Sequence, residues 1–171
     1  MKADEFDSII FDCDGVLIDV TNSYDTTINK TISYVLKEIA DITIDTPLTN
    51  EILLKFKSTG GFNDEIDITY SGILCFIAAK KLNKDPAELI FDMLDNADDS
   101  GITYIENFLN KIDVDIADVK SRLDYPSADK NDLIHATFDQ LFFGPELYSK
   151  IFQKKSNFSE NGFIENDKVI V

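Results

Sequence analysis

Two carboxylates two residues apart, Asp12 and Asp14, end a short apolar run and open a loop at Gly15, in the segment FDSIIFDCDGVLID from Phe6 to Asp19. Side chains at i and i+2 share a face of an extended chain, so both acids can reach one reacting centre. One can attack as a nucleophile. The other, held beside a like charge, tends toward a raised pKa and can shuttle a proton. A hard cation that binds oxygen is needed to hold such a site together and to neutralise a phosphate substrate. The same residues also suit a plain strand-to-loop turn or a calcium loop. The calcium reading fails, because an EF-hand wants an acid at its fifth position and glutamate at its twelfth. Counted from Asp12, those positions hold Val16 and Ser23.

The elements around this segment read differently from it. Ile9, Ile10 and Phe11 form a compact apolar run of the kind found in a buried strand with both faces covered. From about Asn22 to Phe152 the pattern is helical. Ile28, Ile32, Val35, Leu36 and Ile39 make a 3.6-residue stripe, with Asn22 as its N-cap. A second helix starts near Thr49 and is stopped by Gly60-Gly61. Asn63 can cap a third, with Ile66, Tyr70, Ile73, Leu74 and Ile77 as apolar positions, and Asp85-Pro86-Ala87-Glu88 starts a fourth. Shorter helical patterns follow at about 101–111, 115–124, 130–143 and 145–152. Phe163-Ile164 and Val169-Ile170-Val171 predict a hairpin or a return to a sheet.

On these residues the chain resembles the haloacid dehalogenase superfamily of aspartate-nucleophile phosphatases. Its first motif is a hydrophobic strand followed by Asp-x-Asp-Gly-[Thr/Val]-[Leu/Val], which IIFDCDGVLID matches throughout. The resemblance implies that Asp12 is the nucleophile that forms an aspartyl-phosphate and that Asp14 is the general acid/base. It implies Mg²⁺ held by the Asp12 side chain and the Asp14 backbone carbonyl. It further implies an α/β superfamily member, in which this chain is mostly an α-helical cap domain plus a small fragment of a doubly wound, Rossmann-like core. On that division residues 1–20 are the first strand and nucleophile loop, 21–160 the helical cap, and 161–171 a return segment. The stretch from Lys57 to Asp67 looks like a loop-to-helix element of one group of capped members. There Lys57, Asn63 and the amides after Gly60-Gly61 would meet the substrate, since a helix N-terminus favours anions. Capping alone also accounts for each residue type in that stretch.

Other candidates point to structure. Cys13, between the acids, reads as a small buried residue. Asp95, Asp98 and Asp99 follow an amphipathic helix and read as a solvated helix end. His135 lies in a helical run with Leu133, Ile134 and Phe138 and reads as a surface or boundary histidine, while Phe138, Phe142 and Phe143 read as core.

Composition narrows the chemistry further. The 171 residues carry 32 acids against 16 Lys and Arg, a formal charge of −16 that repels phosphate backbones and anionic lipid. Arg122 is the lone arginine, and His135 the lone histidine, which excludes sites built on two imidazoles. Cys13 and Cys75 are too few for a disulfide framework and fit free thiols in a reducing cytoplasm. Met1 to Glu5 are acidic and lack the build of a signal peptide, and no apolar stretch is long enough to span a bilayer.

The later motifs of that superfamily, a Ser/Thr, a lysine and an acidic pair, are not found after Phe152. Three readings therefore stand. The chain is part of a Mg²⁺-dependent phosphatase for small phosphomonoesters, truncated or completed by a second chain. Or it is an inactive relative whose helices bind a partner. Or it is an acidic helical module that interacts or buffers cations. Dehalogenation uses the same nucleophile without metal, but Asp14 favours phosphate chemistry. An unpaired core strand would also favour a homodimer or strand exchange.

Overall fold

The centre of the molecule is a helix apolar on every side. Ile66 and the unbroken run from Ile68 to Ala79 are buried, as expected of a helix wrapped all round by other helices. This is α3 (Glu65–Leu82) in a computed structural model that describes residues 8, 10–127 and 130–170. The readings of Met1 to Glu5, Phe6, Ile9 and Val171 lie outside the described residues.

Among those residues there are seven α-helices. Besides α3 they are α1 (Thr21–Ala40), α2 (Asn50–Ser58), α4 (Pro86–Leu94), α5 (Ile102–Lys111), α6 (Ala117–Leu123) and α7 (Leu133–Phe152). α3 packs against α1, α4, α5 and α7, and α1 also packs along α7. Ile28, Ile32, Val35 and Leu36 of α1 are wholly buried, and burial of each stabilises the fold by about 1.5–3 kcal/mol. α1 and α3 approach closely at Gly72, where a Cβ would lie 2.8 Å from Ile32 Cδ1. Local chemistry fixes the helix starts: Thr49 Oγ1 accepts from the Ile52 N–H, Asp64 Oδ1 from Ile66, and Asp85 Oδ1 from Glu88. The cap of α3 is thus Asp64, one residue beyond the expected Asn63. α1 starts at Thr21, and its amide donates to Asp19 Oδ1 at 3.1 Å, so Asp19 serves where Asn22 was expected.

α7 joins the two patterns expected at 130–143 and 145–152 across a kink. Gly144 sits at φ 70°, ψ 169° just before Pro145, and a Cβ there would lie 2.3 Å from the Gly162 nitrogen. The chain after α7 crosses at this point, forms a 3-10 turn (Phe163–Asn166) against α1, and ends the described residues in β2 (Lys168–Val169). β2 runs antiparallel to β1 (Ile18–Asp19), with Ile18 opposite Val169 and Asp19 opposite Lys168. The tail therefore returns to a sheet rather than folding on itself as a hairpin.

The expected α/β character does not hold. The described residues are mostly helical, with this one two-stranded antiparallel sheet, and they contain no fragment of a doubly wound core. Ser8, Ile10 and Phe11 form no strand, and Ile10 is 94% and Phe11 66% exposed. The physical reason lies in hydrogen bonding: an apolar run becomes a parallel-type strand only beside other strands, and none of the described elements lies alongside it. No helix among the described residues is long and apolar enough to cross a membrane.

Candidate active site

The acids sit in a turn instead of on a strand. The Cys13 carbonyl accepts from the amides of Val16, Leu17 and Ile18 at 3.3, 2.8 and 3.0 Å, and the Gly15 N–H donates to the Ile18 carbonyl at 2.7 Å. The Ile170 N–H donates to the Leu17 carbonyl at 2.9 Å, so the tail pins the far side of this turn. Bending separates the two acids in role. Asp12 is exposed, and its Oδ1 accepts from the Cys13 N–H at 2.8 Å. Asp14 and Gly15 instead line a cleft of about 500 Å³. Cys13, expected to be buried, is exposed, because the turn directs this segment outward.

Three helices supply the rest of the cleft. Val20, Thr21 and Tyr24 come from the start of α1, Lys57 from the last turn of α2, and Phe62, Asn63 and Glu65 from the entry to α3. Tyr24 stacks on Phe142 of α7 with ring centres 4.9 Å apart, and its phenol faces the Asp14 carboxylate. Burial, with the Asp14 charge behind it, pushes that phenol up to about 12. Phe62 is buried edge-on against Phe56, with ring centres 4.9 Å apart. Lys57 Nζ lies 3.1 Å from Asp25 Oδ1, so α1 holds the amine of α2 in place. The half-buried Glu65 has its carboxyl raised, chiefly by burial, while its own backbone N–H and the nearby Lys57 lower it.

Of the expected substrate-binding residues, Lys57 and Asn63 thus face the same cleft as Asp14. Gly60 and Gly61 are not among its lining residues. Gly61 lies against Gly101 at the start of α5: a Cβ on it would sit 2.6 Å from the Gly101 nitrogen, so close backbone packing requires glycine here. Asn63 Nδ2 donates to the Gly60 carbonyl at 3.3 Å and closes the same turn. Tyr24, Asp25 and Glu65 were not singled out from the sequence, since they come together only when α1, α2 and α3 pack.

Among the described residues no three or more acid, histidine or cysteine side chains gather closely enough to hold a metal ion. Mg²⁺ on Asp12 and Asp14 would rest on those two residues, a set that suits Mg²⁺ when water and phosphate oxygens fill its other positions.

Elsewhere, His135 is buried, contrary to the expected surface or boundary position. Its Nδ1 lies 2.7 Å from Asp132 Oδ2, which also accepts from Ser127 Oγ at 2.7 Å. Asp132 caps α7 as well, accepting from the Ile134 and His135 amides. Burial raises the Asp132 carboxyl, but these hydrogen bonds outweigh it and hold the group below its ordinary range. Asp95, Asp98 and Asp99 are exposed; Asp95 pairs with Lys55, and Asp98 accepts from Ser100. Cys75 is buried, and burial alone pushes its thiol up to about 12.

No protein-family model matches the chain, and no curated protein matches its sequence. A solved structure, phosphatase Tt82 from Thermococcus thioreducens, superposes with a TM-score of 0.60 at 20% identity, over 93% of this chain and 52% of that one. The chain spans about half the length of that protein, and at this identity the likeness establishes a shared fold.

Proposed function

We propose that the cleft at Asp14 is the site of a Mg²⁺-dependent, cytoplasmic hydrolysis of small phosphomonoesters, of the haloacid dehalogenase type with a helical cap. The observation that carries this reading is the convergence of Asp14, Lys57 and Asn63, from three separate segments, on one cleft. The fold shared with a protein named as a phosphatase supports it. An Asp12 carboxylate oxygen attacks phosphorus and forms the aspartyl-phosphate, while Asp14 gives its proton to the departing alkoxide. Asp14 then takes a proton from the water that cleaves the acyl phosphate, releasing inorganic phosphate and restoring Asp12. Lys57 orients and neutralises the phosphoryl oxygens, and its pairing with Asp25 limits the freedom of its long side chain. Bound Mg²⁺, on the Asp12 side chain and the Asp14 carbonyl, would neutralise phosphate charge. The exposure of Asp12 calls for a cover that excludes water. A second copy of the chain, or another chain, laid over Ile10 and Phe11 would provide it.

The same exposure of Asp12 favours a second reading, an inactive helical module that binds a partner. Hydrolysis of p-nitrophenyl phosphate by the full chain with Mg²⁺ separates the two. The first reading expects turnover that falls about 10³-fold or more in Asp12→Asn. No phosphate release from the unaltered chain, or equal rates in both proteins, would leave the binding module.

A further inference from the structure

The lysine of the cleft has a direct carboxylate partner, whereas among the described residues Glu65 has no cation within ion-pair distance. Lys57 is the only basic side chain among the lining residues, and it is bound to Asp25. Among the described residues no Lys, Arg or His lies within ion-pair distance of Glu65 or Asp14. Glu65 sits half-buried on the α3 wall, where losing water raises the cost of its charge. Two aromatic residues, Tyr24 and Phe62, line the same space. A carboxylate that Lys57 reaches only at longer range, in a cleft also lined by Tyr24, suits an ammonium group, by a charge-assisted hydrogen bond and by cation–π attraction.

We infer that Glu65 selects the substrate's alcohol portion, and that the substrate class is an aminoalkyl phosphomonoester whose ammonium group meets Glu65 while its phosphate lies toward Asp14 and Lys57. The inference rests on the reading that phosphate is bound at the Asp14 end. The geometry has a simple electrostatic consequence. A substrate carrying both charges supplies Glu65 with a direct ion-pair partner and presents its anion to Lys57. A carboxylate in place of the ammonium group would instead be repelled by Glu65.

Calorimetric titration of the full-length Asp12→Asn chain with Mg²⁺ tests this, with O-phosphoethanolamine, glycerol 2-phosphate and phosphoglycolate as probes. O-Phosphoethanolamine should bind about tenfold or more tighter than glycerol 2-phosphate, with phosphoglycolate weakest. In a Glu65→Gln background the ratio of the first two affinities should collapse toward one. Equal or reversed affinities, an unchanged ratio in Glu65→Gln, or no binding of any probe overturns the inference. The probe comparison stands without the Glu65 variant, so it survives a folding failure of that protein. Turnover by the unaltered chain is scored separately. Preferential binding without hydrolysis would keep the amine site and remove the hydrolase.

Discussion

The helical bundle and the acid-bearing turn are built on different principles. In the bundle, α1 and α3 bury most of their apolar side chains, and the caps of α2, α3, α4 and α7 satisfy the first amides from residues next to them in sequence. In the turn, Ile10, Phe11, Val16, Val169 and Ile170 remain exposed, and the order comes from hydrogen bonds onto the Cys13 carbonyl and from a two-residue ladder with the tail. Buried packing is thus concentrated in one region, and the acids proposed to do the chemistry lie in the other. Residues that hold the fold should be nearly silent in the site, and residues of the exposed turn nearly silent in stability.

The largest expected effect breaks the bundle. Ile32→Ala removes wholly buried methyl groups at the closest approach of α1 and α3 and should cost about 2–5 kcal/mol, read as a lower midpoint in urea. A midpoint unchanged from the parent would mean that the α1–α3 contact does not hold the fold together.

A smaller effect comes from pH. Glu65, Asp67 and Asp139 all have carboxyls raised by burial, so the folded chain binds their protons more tightly than the unfolded chain. Their ionisation therefore costs stability, and that cost is relieved as pH falls through their folded pKa values. Asp132 has the opposite sign: its contribution is complete above its unfolded pKa and is lost as pH falls through its lowered folded value. The melting temperature should rise as pH falls from neutrality through the raised folded pKa values of these three carboxyls, and fall in stronger acid. A steady fall from neutrality downward would contradict the burial of the first three groups.

The smallest effect sharpens the contrast. Ile10→Ser with Phe11→Ser should change the urea midpoint by the equivalent of no more than about 0.5 kcal/mol, because neither side chain is buried. A large loss of stability would show that these side chains are covered in solution, as a second chain laid over them would do.

The sequence made the bundle readable because its signals are local. Thr49 and Asp85 cap the helices they were expected to start, and the Ile28–Leu36 stripe faces inward as its spacing requires. Asn63 and Asp64 are neighbours of similar capping power, so the choice between them turned on the backbone alone. The apolar run before Asp12 was misread for the opposite reason. Ile10 and Phe11 have strand-like composition, but strandhood is a property of partners, which composition does not supply. The burial of His135 also depends on tertiary packing, since its ring is held between Asp132 and the ring of Tyr125, 5.5 Å away. The cleft was half legible: Asp14, Lys57 and Asn63 stood out by motif, whereas Tyr24 and Glu65 matter only through where α1 and α3 place them.

The crossing of Gly162 over Gly144 makes the acid-bearing turn depend on a distant part of the chain. The helices gain their stability by packing on one another. Besides its own hydrogen bonds, the turn that carries Asp14 is pinned by Leu17, Ile18 and Asp19 meeting Ile170, Val169 and Lys168, residues far away in the sequence. Between α7 and that pairing the tail crosses the α7 kink. The acid-bearing turn is therefore held by pairing between residues far apart in the sequence, whereas the helix caps rely on near neighbours.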